Sequence, residues 1–139
     1  MEWIEVKSDE DIDYINKKYD NFEDAFLVEM NYVSGDYVDN ELMGYMHQKN
    51  DLRLVFQRLD RNPFSIELWF TNAKRINMFF ANLQDNCLSD ILYAKVCRNK
   101  SSFFWTVWED FDPYNEEHLA LNDVKYVEGY GLKWRIIEE

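Results

Sequence analysis

Leu52-Arg53-Leu54-Val55-Phe56-Gln57, then Asp60-Arg61-Asn62-Pro63, then Ile66-Glu67-Leu68-Trp69-Phe70 is the stretch that decides the fold. Leu52, Leu54 and Phe56 alternate with Arg53, Val55 and Gln57, and Ile66, Leu68 and Phe70 alternate with Glu67 and Trp69. A period of two places successive side chains on opposite faces, so each run is a strand with one face toward a core. A tight link containing proline between two such runs predicts antiparallel neighbours.

Before this stretch, Phe26, Val28, Met30 and Tyr32 alternate with Leu27, Glu29 and Asn31, and Ser34-Gly35-Asp36 signals a turn. Tyr37 to Met46 then reads as another strand. Upstream, Ser8-Asp9-Glu10-Asp11 carries a capping box and an acidic first turn, and Ile12, Ile15 and Tyr19 follow at helical spacing. This predicts one helix ending near Tyr19. Downstream, Arg75 to Phe80 fits either a strand or a helical turn, and Leu88, Leu92, Ala94 and Val96 predict a longer strand. Phe103-Phe104-Trp105-Thr106-Val107-Trp108 is apolar on both faces, so it is expected to lie centrally or to have its second face covered. Val124 and Tyr126, with Leu132, Trp134 and Ile136, predict a last hairpin broken by Gly129-Tyr130-Gly131. The expectation is a mainly β (α+β) single domain over residues 1–139: an N-terminal helix packed on an antiparallel sheet or sandwich of about eight or nine strands. Strand order, and one layer or two, stay open.

The 139 residues carry 27 Asp+Glu against 15 Lys+Arg, a formal net charge of −12, with 47% hydrophobic and 17% aromatic residues. Such a chain can build a core without a metal or disulfide. Its charge opposes binding to nucleic acid or anionic lipid, both of which select Lys/Arg surplus. No apolar run approaches the roughly 20 residues that span a bilayer. No basic region followed by an apolar stretch is visible near Met1, so a cytoplasmic protein with reduced thiols is expected. Acids outnumber bases 13 to 4 over residues 1–50 and 9 to 3 over residues 101–139, whereas bases lead 8 to 5 between them. A fold that unites the two outer blocks would make an acidic face, which would either steer a basic partner or serve only as a solvated, solubilising surface.

Catalytic and cofactor signatures are missing. Four glycines build no phosphate loop, no serine sits in a nucleophile motif, and His47 and His118 belong to no metal motif. Cys87 and Cys97 would need two further ligands to hold zinc and read as small core residues. Asp110-x-Asp112-x-x-Asn115-Glu116-Glu117 has oxygen ligands but lacks the glycine and flanking helices of a calcium loop, so it reads as a solvated acidic loop. Asp20, Glu23 and Asp24 form a second acidic cluster, without a base partner for acid/base chemistry. No catalytic residue, metal or cofactor is therefore assigned. Acids to steer and exposed rings to anchor suit a protein partner. The candidate partner-binding residues are Asp36, Asp39, Asp110, Asp112, Tyr114, Glu116 and Glu117.

Tyr19-Asp20-Asn21-Phe22-Glu23-Asp24-Ala25, a Trp near the start, the aliphatic strands and the closing Leu132-Lys133-Trp134-Arg135 together resemble small bacterial β-rich proteins. These carry a Phe-His-Asp-Ala/Ser motif at a helix–strand junction, and some are labelled immunity proteins of polymorphic toxin systems. Phe22 and Asp24 match that motif, and Glu23 stands where the family has His. The resemblance implies a non-enzymatic protein-binding role, such as neutralising a toxin, with Asp24 holding the entry into the first long strand. Two other functions fit the composition: a small-molecule-binding β-barrel or half-barrel, and a homodimeric structural protein. A monomer and a homodimer are equally compatible with the sequence.

Overall fold

The computed structural model describes residues 2–85 and 88–138. Its elements are β1 (Ile4–Glu5), α1 (Asp9–Lys18), β2 (Ala25–Val33), β3 (Tyr37–Val38), β4 (Gly44–Tyr45), β5 (Asp51–Arg58), β6 (Ser65–Asn77), β7 (Lys95–Arg98), β8 (Phe103–Thr106), α2 (Glu116–Leu119) and β9 (Tyr126–Glu138). Seven strands form one antiparallel sheet in the order β2-β5-β6-β9-β8-β7, with β1 added to β9 beyond β8; β3 and β4 pair separately. The chain is mainly β with an N-terminal helix, as its periodicity predicts. Cys87 lies outside the described residues.

The β5–β6 pair has the expected register, Leu54 opposite Leu68 and Phe56 opposite Ile66, with all four side chains fully buried. The sheet is strongly curved. The rings of Phe56 on β5 and Trp105 on β8 lie 5.3 Å apart, although β6 and β9 run between their strands. On a flat sheet three strand spacings of about 4.8 Å would separate them by about 14 Å. Curling into a half-barrel brings the concave side chains together around Phe22, whose ring is 4.9 Å from Phe56 and 6.1 Å from Trp105.

Helix α1 closes much of the concave side. Ser8 and Asp11 form the reciprocal capping box, and Ile12, Ile15 and Tyr19 are buried. Asn16 also stitches the helix to the sheet edge: its amide donates to the Val96 carbonyl at 2.9 Å and accepts from the Val96 N–H at 2.9 Å. The side chain thus satisfies two backbone groups that β7, an outermost strand, would otherwise leave unmade. Asn16→Ala is expected to lower the unfolding free energy by about 2 kcal/mol, from two hydrogen bonds of about 1 kcal/mol each. Urea titration measures it, and a change within about 0.5 kcal/mol would show that the edge needs no such cover.

The convex face is covered by its own long side chains. Trp3 and Trp69 meet edge to face at 5.2 Å, with the Arg53 guanidinium 4.5 Å over Trp69, Lys133 4.9 Å over Trp69 and Arg135 4.4 Å over Trp3. Buried Glu67 pairs with Arg135 at 2.8 Å. Stacked cations with apolar stems can cover a sheet face where aliphatic residues would have to be hidden. The second face of β8 is covered as well: Phe104 packs against Phe111 and Tyr126.

Three local expectations change, and one left open between strand and helical turn is decided. Tyr37–Met46 is not one strand but the short β3–β4 hairpin, because no layer covers either of its faces and almost every residue is exposed. Leu88–Val96 is extended only from Lys95. Before that, Ile91 and Ala94 bond to the backbone at 21–25 in an irregular pattern, and Leu88 and Leu92 face solvent. Arg75 continues β6 as far as Asn77, because β9 extends to pair with it. The expected last hairpin is a single strand passing through Gly129-Tyr130-Gly131. Gly131 serves close approach rather than a turn: a Cβ there would collide with Thr71 Oγ1 on the paired strand.

Candidate functional site

The junction between α1 and β2 concentrates unusual backbone and paired charge. Asp20, Asn21 and Phe22 have φ of 48°, 51° and 59°, and Asp24 has φ of 63°, a left-handed conformation that bulky residues avoid. Three anchors hold it. Phe22 fills the core, the Asn21 carbonyl accepts from the Ala94 N–H at 2.9 Å, and Asp20 accepts from the buried Arg58 guanidinium at 3.0 Å. Arg58 also stacks 4.1 Å over Tyr19 and donates from Nε to the Pro63 carbonyl. The other two acids gather on Arg61: Asp24 at 3.0 Å and Glu23 at 3.5 Å. Phe22, Glu23 and Asp24 therefore shape and brace the junction. Each of the three carboxylates is thus paired to a guanidinium group.

The candidate partner-binding residues occupy two protrusions. Registers Val33 opposite Asp51, Asn77 opposite Tyr126 and Thr106 opposite Tyr126 place the 34–50 arm and the 107–125 segment at one end of the sheet. Among the described residues no hydrogen bond or ion pair joins the two. In the 107–125 segment, Asp112 accepts from the Tyr114 N–H and its own N–H donates to His118 Nδ1. Lys95 ties the loop to β7 through the Glu109 and Phe111 carbonyls, at 2.7 and 2.9 Å. Asp110, Tyr114, Glu116 and Glu117 are exposed on that braced loop.

Asp36 and Asp39 sit in the arm and build it. Asp36 accepts from the Gln48 N–H at 2.7 Å, fastening its two limbs. Asp39 accepts from the Glu41 and Met43 N–H groups and from the Tyr45 hydroxyl, and these bonds hold its carboxyl below the ordinary carboxylate range. Tyr37 and Tyr45 stack at 4.8 Å with His47 edge-on to Tyr37. What the arm offers outward is apolar: Leu42 is 84% exposed and Met46 81%, with Val38 and Met43 above half. A charge count misses this surface. The signal for it was aliphatic residues in a short segment with no periodic partner to bury them.

Along β2 runs a groove of about 540 Å³, bounded by Leu27–Met30, by segments 78–81 and 88–93, and by Trp105 and Val107. A bulge at Val28 creates its β2 wall. The bulge resets the alternation, so that Leu27, Met30 and Tyr32 lie opposite the inward Phe56, Leu54 and Leu52. These β2 side chains lie beyond the cover of α1, which leaves the rim of the half-barrel open. Trp105 is buried, and its indole N–H has no acceptor among the described residues.

Among the described residues no three His, Cys, Asp or Glu side chains converge to hold a metal, and no helix is long and apolar enough to cross a membrane. Burial pushes the Cys97 thiol up to about 12, so it stays protonated and unreactive near neutral pH. Comparison with protein families, curated proteins and solved structures finds no match to this chain.

Proposed function

We propose that the chain is a non-enzymatic protein-binding module that neutralises a basic protein by occlusion, in the manner of an immunity protein against a toxin. The observation carrying this reading is the arm. Exposed Leu42 and Met46 stand on a hairpin whose shape is fixed by two buttressing aspartates. Rigid apolar anchors reduce the ordering cost of association, and a surrounding negative field raises the encounter rate with a basic partner. The exposed acids of the 107–125 segment leave the sheet at the same end, so one partner can meet both. The likeness of the 19–25 stretch to toxin-system proteins agrees with this role, and a cytoplasmic setting goes with it.

The test is titration of the purified chain with proteins encoded beside its gene, across about 50 to 500 mM salt. One basic partner is expected to bind, more weakly as salt rises. Leu42→Ser and Met46→Ser should each weaken that binding by about tenfold or more while leaving stability within about 0.5 kcal/mol. Failure of every such protein to bind, or indifference to both substitutions, would overturn the proposal. A second reading, binding of a small apolar molecule, is favoured by the groove volume, which falls in the range of ligand sites. It ranks behind because the groove is an open rim, whereas the core beneath it is filled.

A further inference from the structure

The curled sheet leaves one strand edge unpaired. β2 bonds to β5 along one side only. Along the other, the Ala25 carbonyl accepts from the Ile91 N–H at 2.8 Å, and from Phe26 to Val33 the outward backbone groups have no partner among the described residues. The chain's own segment peels away at this point. Ala94 and Ile91 bond to Asn21, Asp24 and Ala25 in an antiparallel sense, but Leu88 is already 84% exposed. Beyond the Val28 bulge, Glu29 to Val33 keep a regular register with Val55 to Asp51, which is the length of an ordinary short strand.

Proteins rarely leave such an edge bare, because its unmade hydrogen bonds invite another strand. Here the edge also forms one wall of the apolar groove. An added strand would bond to β2 through its main chain and send alternate side chains into the groove, the division of labour by which sheet edges recognise peptides. The charged lining adds specificity. Asp90 is an acid of the groove lining and Glu29, in register with Val55, carries its carboxylate on the opposite face of β2, against one ammonium, Lys125, whose Nζ lies 4.8 Å over the Phe79 ring. A second copy of the chain is a poor occupant, because each copy carries −12.

We infer that β2 is the docking edge for an extended segment of the basic partner, running antiparallel to β2, with apolar residues in the groove alternating with Lys or Arg on the opposite face beside Glu29. The inference rests on the protein-binding reading and specifies its mode. The test selects a displayed library of random nine-residue peptides on the whole chain and follows amide hydrogen exchange with the best binder. Enriched peptides are expected to alternate apolar and basic residues, and to slow exchange within Phe26–Val33 by about tenfold or more. N-methylation of alternate peptide residues should weaken binding by about tenfold, and Glu29→Lys should weaken it severalfold. Peptides without alternation, or a binder that leaves β2 exchange unchanged, overturn the inference. So does β2 protection that grows with protein concentration without peptide, which marks a second copy as the occupant. These readouts are separate from the titration with arm variants, so edge addition can fail while the protein-binding reading stands.

Discussion

Phe22→Ala is expected to lower the unfolding free energy by about 3–5 kcal/mol, the cost of deleting a large ring from a packed interior. Phe22 is fully buried and its ring touches those of Tyr19, Phe56 and Trp105, which come from the helix end and from two strands on opposite sides of the curl. Its loss therefore opens a cavity where the concave faces meet. It also removes one of the anchors holding three successive residues in the left-handed region, each of which costs roughly 1–2 kcal/mol to keep there. The measurement is the urea midpoint, with Tyr114→Ala as an exposed control expected to change by no more than about 0.5 kcal/mol. A loss below about 1 kcal/mol would mean that the curl does not close on this ring.

The second large effect is at alkaline pH. Burial pushes the Tyr19 hydroxyl from its ordinary 10.0 up to about 12, and the Cys97 thiol from 9.0 up to about 12. Both groups are neutral when protonated. Above pH 9 the unfolded chain releases these protons at their ordinary values while the folded chain keeps them, so the unfolded state binds fewer protons and stability falls as pH rises. At about 1.4 kcal/mol per pKa unit, the two together remove on the order of 3–6 kcal/mol between pH 9 and 12. Unfolding titrations at stepped pH should show this slope, and Cys97→Ser and Tyr19→Phe should each flatten it. Unchanged slopes in both variants would assign the alkaline loss to other groups. Tyr93 and Tyr126, also raised by burial, are the next ones to replace.

The acidic surface illustrates how far a charge count reaches. It selects Asp36 and Asp39 as partner-binding acids, but their carboxylates bind the arm's own N–H groups. The arm they brace exposes Leu42 and Met46, which no charge count selects. Asp20, Glu23 and Asp24 are alike in this respect. Their sequence cluster suggests paired carboxylates, and only the fold brings Arg58 and Arg61 across from the β5–β6 turn to neutralise them.

Local rules written in the chain determined the helix from Ser8 to Tyr19, the β5–β6 pair and the mainly β class, because caps and side-chain periods act over a few residues and need no distant partner. The single strand through Gly129 and Gly131, the bulge that turns Met30 inward, the curl around Phe22 and the bare edge of β2 were decided by tertiary structure. Each depends on which strand lies alongside, and strand neighbours far apart in sequence are fixed only when the whole sheet closes on its core.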